Sequence, residues 1–288
     1  MTSHEPLSLS GLRQHLRAAW PNPAHLRSRS GDRWLASVTV VAFLGSVLIL
    51  LLGGPHAGFL TINAATTGLP DPFWGAVTSV GDGYLLAAFA LFFARRHPHV
   101  LWIFFIGVLV SALASQVPKE LLNMPRPAGV LDLSDFHLVG PGHRSKGPPS
   151  GHSLAVFLVA GIGIYLIPSL HWRITLLVAA SLVAFSRIAV GEHWPLDVTL
   201  GVSLGAAGAW FTITLARAWP AGQNVWVHLA LVLLFLASTV YLVGFDPPYP
   251  WGHGLNIVVG TVALIFFAKT YLIDPLRHQP RQVESRGR

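Results

Sequence analysis

The chain of 288 residues contains no cysteine. That absence excludes disulfides, thiolate metal sites and any phosphatase or protease with a cysteine nucleophile. Charge is scarce as well: Asp, Glu, Lys and Arg make up 11% of the residues, against about 25% in a soluble domain. So few charges cannot coat a water-soluble globule of this length. The 52% of hydrophobic residues, with mean hydropathy +0.56, exclude a disordered chain. No internal repeat is evident, and no Gly/Ser linker divides the chain. What remains is one all-α, polytopic helical membrane domain with short tails.

Eight apolar stretches, most near the roughly 17 to 25 residues that cross a bilayer as helix, lie at 34–53, 73–94, 99–117, 152–168, 173–190, 196–216, 225–244 and 255–273. They divide the chain into a basic segment 1–33, a six-span core 34–216, two additional spans within 217–273 and a basic tail 274–288. In the first segment Leu9, Leu12, Leu16 and Trp20 recur at helical spacing. That spacing suits a short interfacial helix, and a solvated basic tail is the alternative.

The net charge of +7 and pI near 10.4 would suggest a nucleic-acid partner in a soluble protein. In a membrane protein the same surplus sets orientation. With the N-terminus in the cytoplasm, fourteen of the 19 Lys and Arg fall inside, and loops 54–72 and 245–254 carry none. Both termini are therefore expected on the cytoplasmic side of a cell (inner) membrane, which is taken as bacterial, with lipid and not nucleic acid as partner. Five basic residues are left on the outer side: Lys119, Arg126, Arg144, Lys146 and Arg187.

Three of those five belong to spaced patterns that the topology brings to one face. Lys119-x6-Arg126-Pro127 closes the third span, Pro149-Ser150-Gly151-His152 opens the fourth, and Ser186-Arg187-x5-His193-x3-Asp197 bridges the fifth and sixth. Three permanent cations around one point suit a dianionic tetrahedral group, with Arg supplying forked donors. Lys119 and Arg126, seven apart, share a face if helical, although Pro125 can break that turn. Ser150-Gly151-His152 sits where a helix begins, so free backbone N–H groups and the positive dipole end can hold phosphate oxygens. His193 and Asp197 are i, i+4: the carboxylate can accept the Nδ1 proton and leave Nε2 free to attack phosphorus. His152 is then available as general acid for the leaving oxygen and later as base for water. The chemistry needs no divalent metal, and neither a metal site nor a cofactor is expected.

These stretches, KELLNMPRP, PSGH and SRIAVGEHWPLD, resemble the three-part signature of the type 2 phosphatidic acid phosphatase superfamily, over about residues 34–216. The resemblance implies a metal-independent lipid phosphatase working through a phosphohistidine at His193. It implies phosphate binding by Lys119, Arg126, Ser150, Gly151 and Arg187, acid–base work by His152, and orientation of the nucleophile by Asp197. Soluble acid phosphatases and vanadium haloperoxidases of the superfamily share the constellation, and eight spans argue against both.

Weaker signals surround this set. In loop 123–149 His143, Arg144 and Lys146 either touch a second phosphate or a lipid headgroup, or lie in a solvated loop near anionic lipid. Asp82, between Gly81 and Gly83 midway along the second span, is by default a functional candidate, and reads better as a helix break that buries its own carboxylate against freed N–H groups. Gly201-x3-Gly205 reads as a close helix-packing face. The aromatic loop 246–251 marks the outer interface or lines a lipid entrance. The expected activity is hydrolysis of a phosphate or diphosphate monoester on a membrane lipid at the extracytoplasmic face. Phosphoryl transfer between lipids, or non-catalytic binding or transport of a lipid phosphate, is the alternative.

Overall fold

A computed structural model describes residues 8–22, 24 and 26–277. Arg281, Arg286 and Arg288 of the basic tail lie outside the described residues. The helices are α1 (Leu9–Ala19), α2 (Arg29–Gly53), α3 (Phe59–Ala65), α4 (Asp71–Ser79), α5 (Gly83–Ala88), α6 (Pro98–Leu122), α7 (Pro127–Val130), α8 (Gly151–Leu166), α9 (Leu170–Ala189), α10 (Pro195–Ala218), α11 (Val225–Gly244), α12 (Pro250–Phe267) and α13 (Asp274–Arg277). No strand occurs among the described residues. Six helical segments are long and apolar enough to cross a membrane: Arg29–Gly53, Pro98–Val130, Leu170–Ala189, Pro195–Ala218, Val225–Gly244 and Pro250–Ile273. The chain is an all-α, multi-pass membrane protein.

The two remaining apolar stretches depart from simple spans. The second is broken into Asp71–Ser79 and Gly83–Phe92, which meet at 50°. Asp82 is the cause: its Oδ1 accepts from the Tyr84 and Leu85 amides at 2.8 and 3.4 Å, capping α5. The carboxylate thus satisfies N–H groups that the break exposes, as its Gly-Asp-Gly context suggests. The fourth stretch, α8, has 16 residues and ends at Leu166, because Ile167, the residue before Pro168, is driven out of the helical region.

α10 lies at the centre, packed on α2 and α8. A Cβ on Gly201 would come within 2.7 Å of the Ser150 carbonyl oxygen, and one on Gly205 within 2.5 Å of that of Leu154. Only glycine lets these backbones approach so closely. On its other side α10 meets α2 through polar contacts, Ser46 Oγ to Thr199 Oγ1 at 2.8 Å and Ser203 Oγ to the Thr39 carbonyl at 3.1 Å. The outward faces are apolar: Leu51 and Leu52 of α2 and Leu121 of α6 are largely exposed. That is the surface expected against hydrocarbon chains.

The bundle has two unlike ends. One gathers the start of α2 with the ends of α8 and α10. There Arg173 donates to Ser30 Oγ at 3.0 Å and to the Ile167 carbonyl at 2.7 Å, and Arg217 donates to Tyr165 Oη at 3.4 Å. α1 docks here too, burying Leu12 and Leu16 beside Val225 of α11. The other end carries all three sequence patterns. Gly205→Leu is expected to lower the melting temperature in detergent, since forced overpacking costs about 1–3 kcal/mol. An unchanged melting temperature would refute the close α8–α10 contact.

Candidate active site

Four helix termini converge at the second end: the C-termini of α6 and α9 and the N-termini of α8 and α10. α10 starts at Pro195, which suits a first helical position, and this places Asp197 in the first turn with His193 just before the helix. His193 Nδ1–H donates to Asp197 Oδ2 at 3.0 Å, and the same oxygen accepts the Trp194 amide at 3.2 Å. Both side chains are buried, at 2% exposure. With Nδ1 engaged, Nε2 is the nitrogen left with a free lone pair. Burial, then the positive fields of Arg126, Arg187, Lys119 and His152, push the His193 pKa well below its ordinary value of 6.5. The imidazole is held neutral.

α8 begins beside it. The Ser150 amide donates to the Asp197 carbonyl at 2.9 Å, tying the two helix starts together. Ser150 Oγ caps α8 by accepting from the Ser153 amide at 3.4 Å and its hydroxyl at 2.9 Å. This leaves the first amides of the helix aimed outward as anion donors. A Cβ on Gly151 would meet Lys119 Nζ and Ser115 Oγ at 3.2 Å each, so the ammonium and the hydroxyl stand directly over the helix start. His152 follows, packed against the break in the second span: a Cβ on Gly81 would lie 3.0 Å from that of His152.

The three cations reach the site from different directions. Lys119 is on α6, but Arg126 is not. The helix stops at Leu122, Asn123 turns left-handed at φ 41°, and Pro125 follows, so the two do not share a helical face. Arg126 enters from an extended stretch and donates to Glu192 Oε2 at 3.0 Å. Arg187, at the end of α9, donates from Nη1 to Thr78 Oγ1 at 2.7 Å and to Tyr249 Oη at 2.8 Å. Its Nε and Ser115 Oγ are buried with no hydrogen-bond partner. Buried donors left open beside two further cations are suited to an anion. Among the described residues no three His, Asp or Glu side chains group as metal ligands.

The structure brings Lys119, Arg126, Ser150, Gly151, His152, Arg187, His193 and Asp197 to one place. Arg144 and Lys146 it does not bring in by their side chains. Lys146 Nζ pairs with Glu120 at the surface, and the part of Arg144 in use is its carbonyl, which accepts the Arg126 amide at 3.0 Å. Their neighbour His143 does enter, donating to Glu192 Oε2 at 3.1 Å.

Three groups in the site were not legible as such. Glu192, fully buried, accepts from Arg126, His143 and the Gly142 amide, the last at 2.9 Å, and lies 4.0 Å from Arg187. Its one sequence signal is an acidic residue next to His193 inside the third pattern. Thr78 gave no signal. Tyr249 stood in the aromatic loop, with nothing to link it to Arg187. Burial raises its pKa, while Arg187 pulls it the other way, so the phenol stays protonated.

Comparison with known proteins places the geometry. A family model described as the PAP2 superfamily matches residues 100–221, a stretch that contains every signature position from Lys119 to Asp197. The chain belongs to the PAP2 superfamily. It is 28% identical over 226 residues to a lipid A 1-phosphatase of Rhizobium johnstonii, which covers 70% of this chain and 89% of that protein. It is 30% identical over 115 residues to an undecaprenyl-diphosphatase of Sulfolobus acidocaldarius, covering 40% of this chain and 54% of the relative. Among solved structures, the crystal structure of Aquifex aeolicus LpxE aligns at TM-score 0.44 and 30% identity, covering 54% of this chain and 92% of that one. The PAP2 match ends at 221, so Tyr249 reaches the site from outside the matched stretch.

Glu192→Gln keeps the shape of the residue and removes its charge. It is expected to lower kcat/KM for phosphate release by about tenfold, with a comparable change in the inhibition constant of inorganic phosphate. Unchanged values of both would show that Glu192 does not position Arg126.

Proposed function

We propose that this PAP2 protein hydrolyses a phosphate or diphosphate monoester on a membrane lipid through a phosphohistidine at His193. The observation that carries the reading is the His193–Asp197 pair, buried and aimed among Lys119, Arg126 and Arg187. A site that only binds phosphate needs the cations alone. In the first step Nε2 attacks phosphorus, an N–P bond forms, and the bond to the ester oxygen (or to the bridging oxygen of a diphosphate) breaks. His152 gives that oxygen its proton. The three cations and the α8 amides stabilise the charge spread over the equatorial oxygens. In the second step His152 takes a proton from water, the hydroxide attacks phosphorus, and inorganic phosphate leaves with His193 regenerated.

Asp197 holds the productive tautomer and stabilises the charge that develops on the imidazole. Glu192 limits the positive charge of the empty site and keeps Arg126 in register. The substrate class follows from similarity: one relative is named for lipid A 1-phosphate and another for undecaprenyl diphosphate, both phosphorylated heads on long hydrophobic bodies.

The site lies at the end of the bundle away from Arg173 and Arg217, and the concentration of basic residues at that opposite end supports a cytoplasmic assignment for it. The reading therefore has both termini in the cytoplasm and the active site at the extracytoplasmic face of a cell membrane. Residues 34–216 form the phosphatase core and 217–273 an added pair of spans.

His193→Ala is expected to abolish phosphate release from a panel of lipid A, undecaprenyl diphosphate, phosphatidic acid and phosphatidylglycerol phosphate, while EDTA leaves the wild type unaffected. Asp197→Asn is expected to lose about a hundredfold or more in kcat. A labelled phosphoenzyme, labile in acid and stable in base, should be trapped from the wild type and be absent from His193→Ala. Full turnover in His193→Ala would overturn the mechanism.

A further inference from the structure

Below the phosphate site, between α5, α6, α8 and α11, lies an apolar cavity of about 360 Å³. That is within the roughly 300–1,000 Å³ of pockets that hold small molecules. Its upper end lies within a helical turn of the candidate site. Ser111 lines it one turn before Ser115 on α6, Ala155 one turn after Gly151 on α8, and Asp82 sits at the break that packs against His152. Its lower end is closed by Phe104, Phe105 and Ile162. Gly107, also in the lining, precedes Lys119 by twelve residues, and Ile162 follows His152 by ten. At about 1.5 Å of rise per residue these two lining residues lie roughly 15–18 Å below the site, near half of a hydrocarbon core about 30 Å thick.

The far wall belongs to α11: Leu234, Phe235 and Ser238. On either side of the opening Val108 of α6 and Leu234 are 45% and 47% exposed, so the gap between these two helices faces lipid. An apolar cavity that lies next to the proposed phosphate site, extends along the helix axes and opens sideways toward lipid suits a single hydrocarbon chain.

We propose that this cavity holds one hydrocarbon tail of the phosphorylated lipid, and that α11 of the added spans is the wall that decides which tails fit. The assignment rests on the lipid-phosphatase reading above and deepens it. With the head at His193 and a tail between α6 and α11, the substrate is held at both ends. The scissile bond is then positioned by burial of apolar surface as well as by charge, a binding contribution remote from the reacting atoms. The added spans thereby take part in substrate selection, although the signature lies wholly outside them.

Filling the cavity from opposite walls provides the test. Full-length wild type, Ser238→Trp and Ala112→Trp are compared on dihexadecanoyl phosphatidic acid and on p-nitrophenyl phosphate, which has no tail. Each variant is expected to raise KM for the lipid by about tenfold, the equivalent of about two excluded methylenes, and to leave the tail-less substrate unchanged. An unaltered ratio between the two substrates in both variants overturns the proposal.

A binding measurement separates this outcome from failure of the phosphatase reading. Because the chain lacks cysteine, Ser238→Cys in the His193→Ala background takes a single bimane label. Chain-brominated phosphatidic acid is expected to quench it more than chain-brominated phosphatidylcholine at equal mole fraction. Selective quenching with no phosphate release by the wild type would retain the cavity assignment and reject the activity. Equal quenching with lipid hydrolysis intact would do the reverse.

Discussion

The Ser150 amide and the Asp197 carbonyl, 2.9 Å apart, hold together the starts of α8 and α10. Below them Gly201 and Gly205 allow the two helices to pack backbone to backbone. In the proposed reaction one helix start presents amides to the phosphate and the other aims His193, so the relative position of the reacting atoms depends on this joint. A side chain at either glycine would drive the helices apart and with them His193 from its target. The glycines in the span and the proposed catalytic residues at its end are thus parts of one device.

Charge imposes the second constraint. Lys119, Arg126 and Arg187 repel one another in a site with little water, and desolvation adds to the cost. Two buried carboxylates offset it. Asp197 faces His193. Glu192 lies against Arg126 and, with His143 and the Gly142 amide, fastens the loop between the first two patterns over the site. Arg187 is held from the other side by neutral groups, Thr78 and Tyr249, which fix its direction without spending its charge. Its Nε remains open. The arrangement is near saturation in the framework around the cations and unsaturated where an anion would sit.

Much of this was legible from residue types and spacing. The scarcity of charge marked the chain as a membrane protein, and three of the five basic residues outside the expected orientation pattern, Lys119, Arg126 and Arg187, come together at the candidate site. The Asp82 break and the Gly201/Gly205 face also followed from sequence, because each depends on contacts along one helix or between neighbouring turns. Span limits were less secure: α6 runs on to Leu122, past the apolar stretch, and carries Lys119 in its last turn. Arg144 and Lys146 looked like site residues by proximity in the chain, yet Lys146 turns out to Glu120 and Arg144 contributes a carbonyl.

By itself the sequence determined the class of fold, the three patterns and the chemical roles open to their side chains, since these rest on hydropathy, on residue chemistry and on spacing within one or two turns. Only the tertiary structure decided that Glu192 balances Arg126, that Thr78 and Tyr249 aim Arg187, and that α11 walls an apolar shaft under His152. Each of these joins residues distant along the chain, and their meeting depends on how the helices pack, which no local spacing encodes.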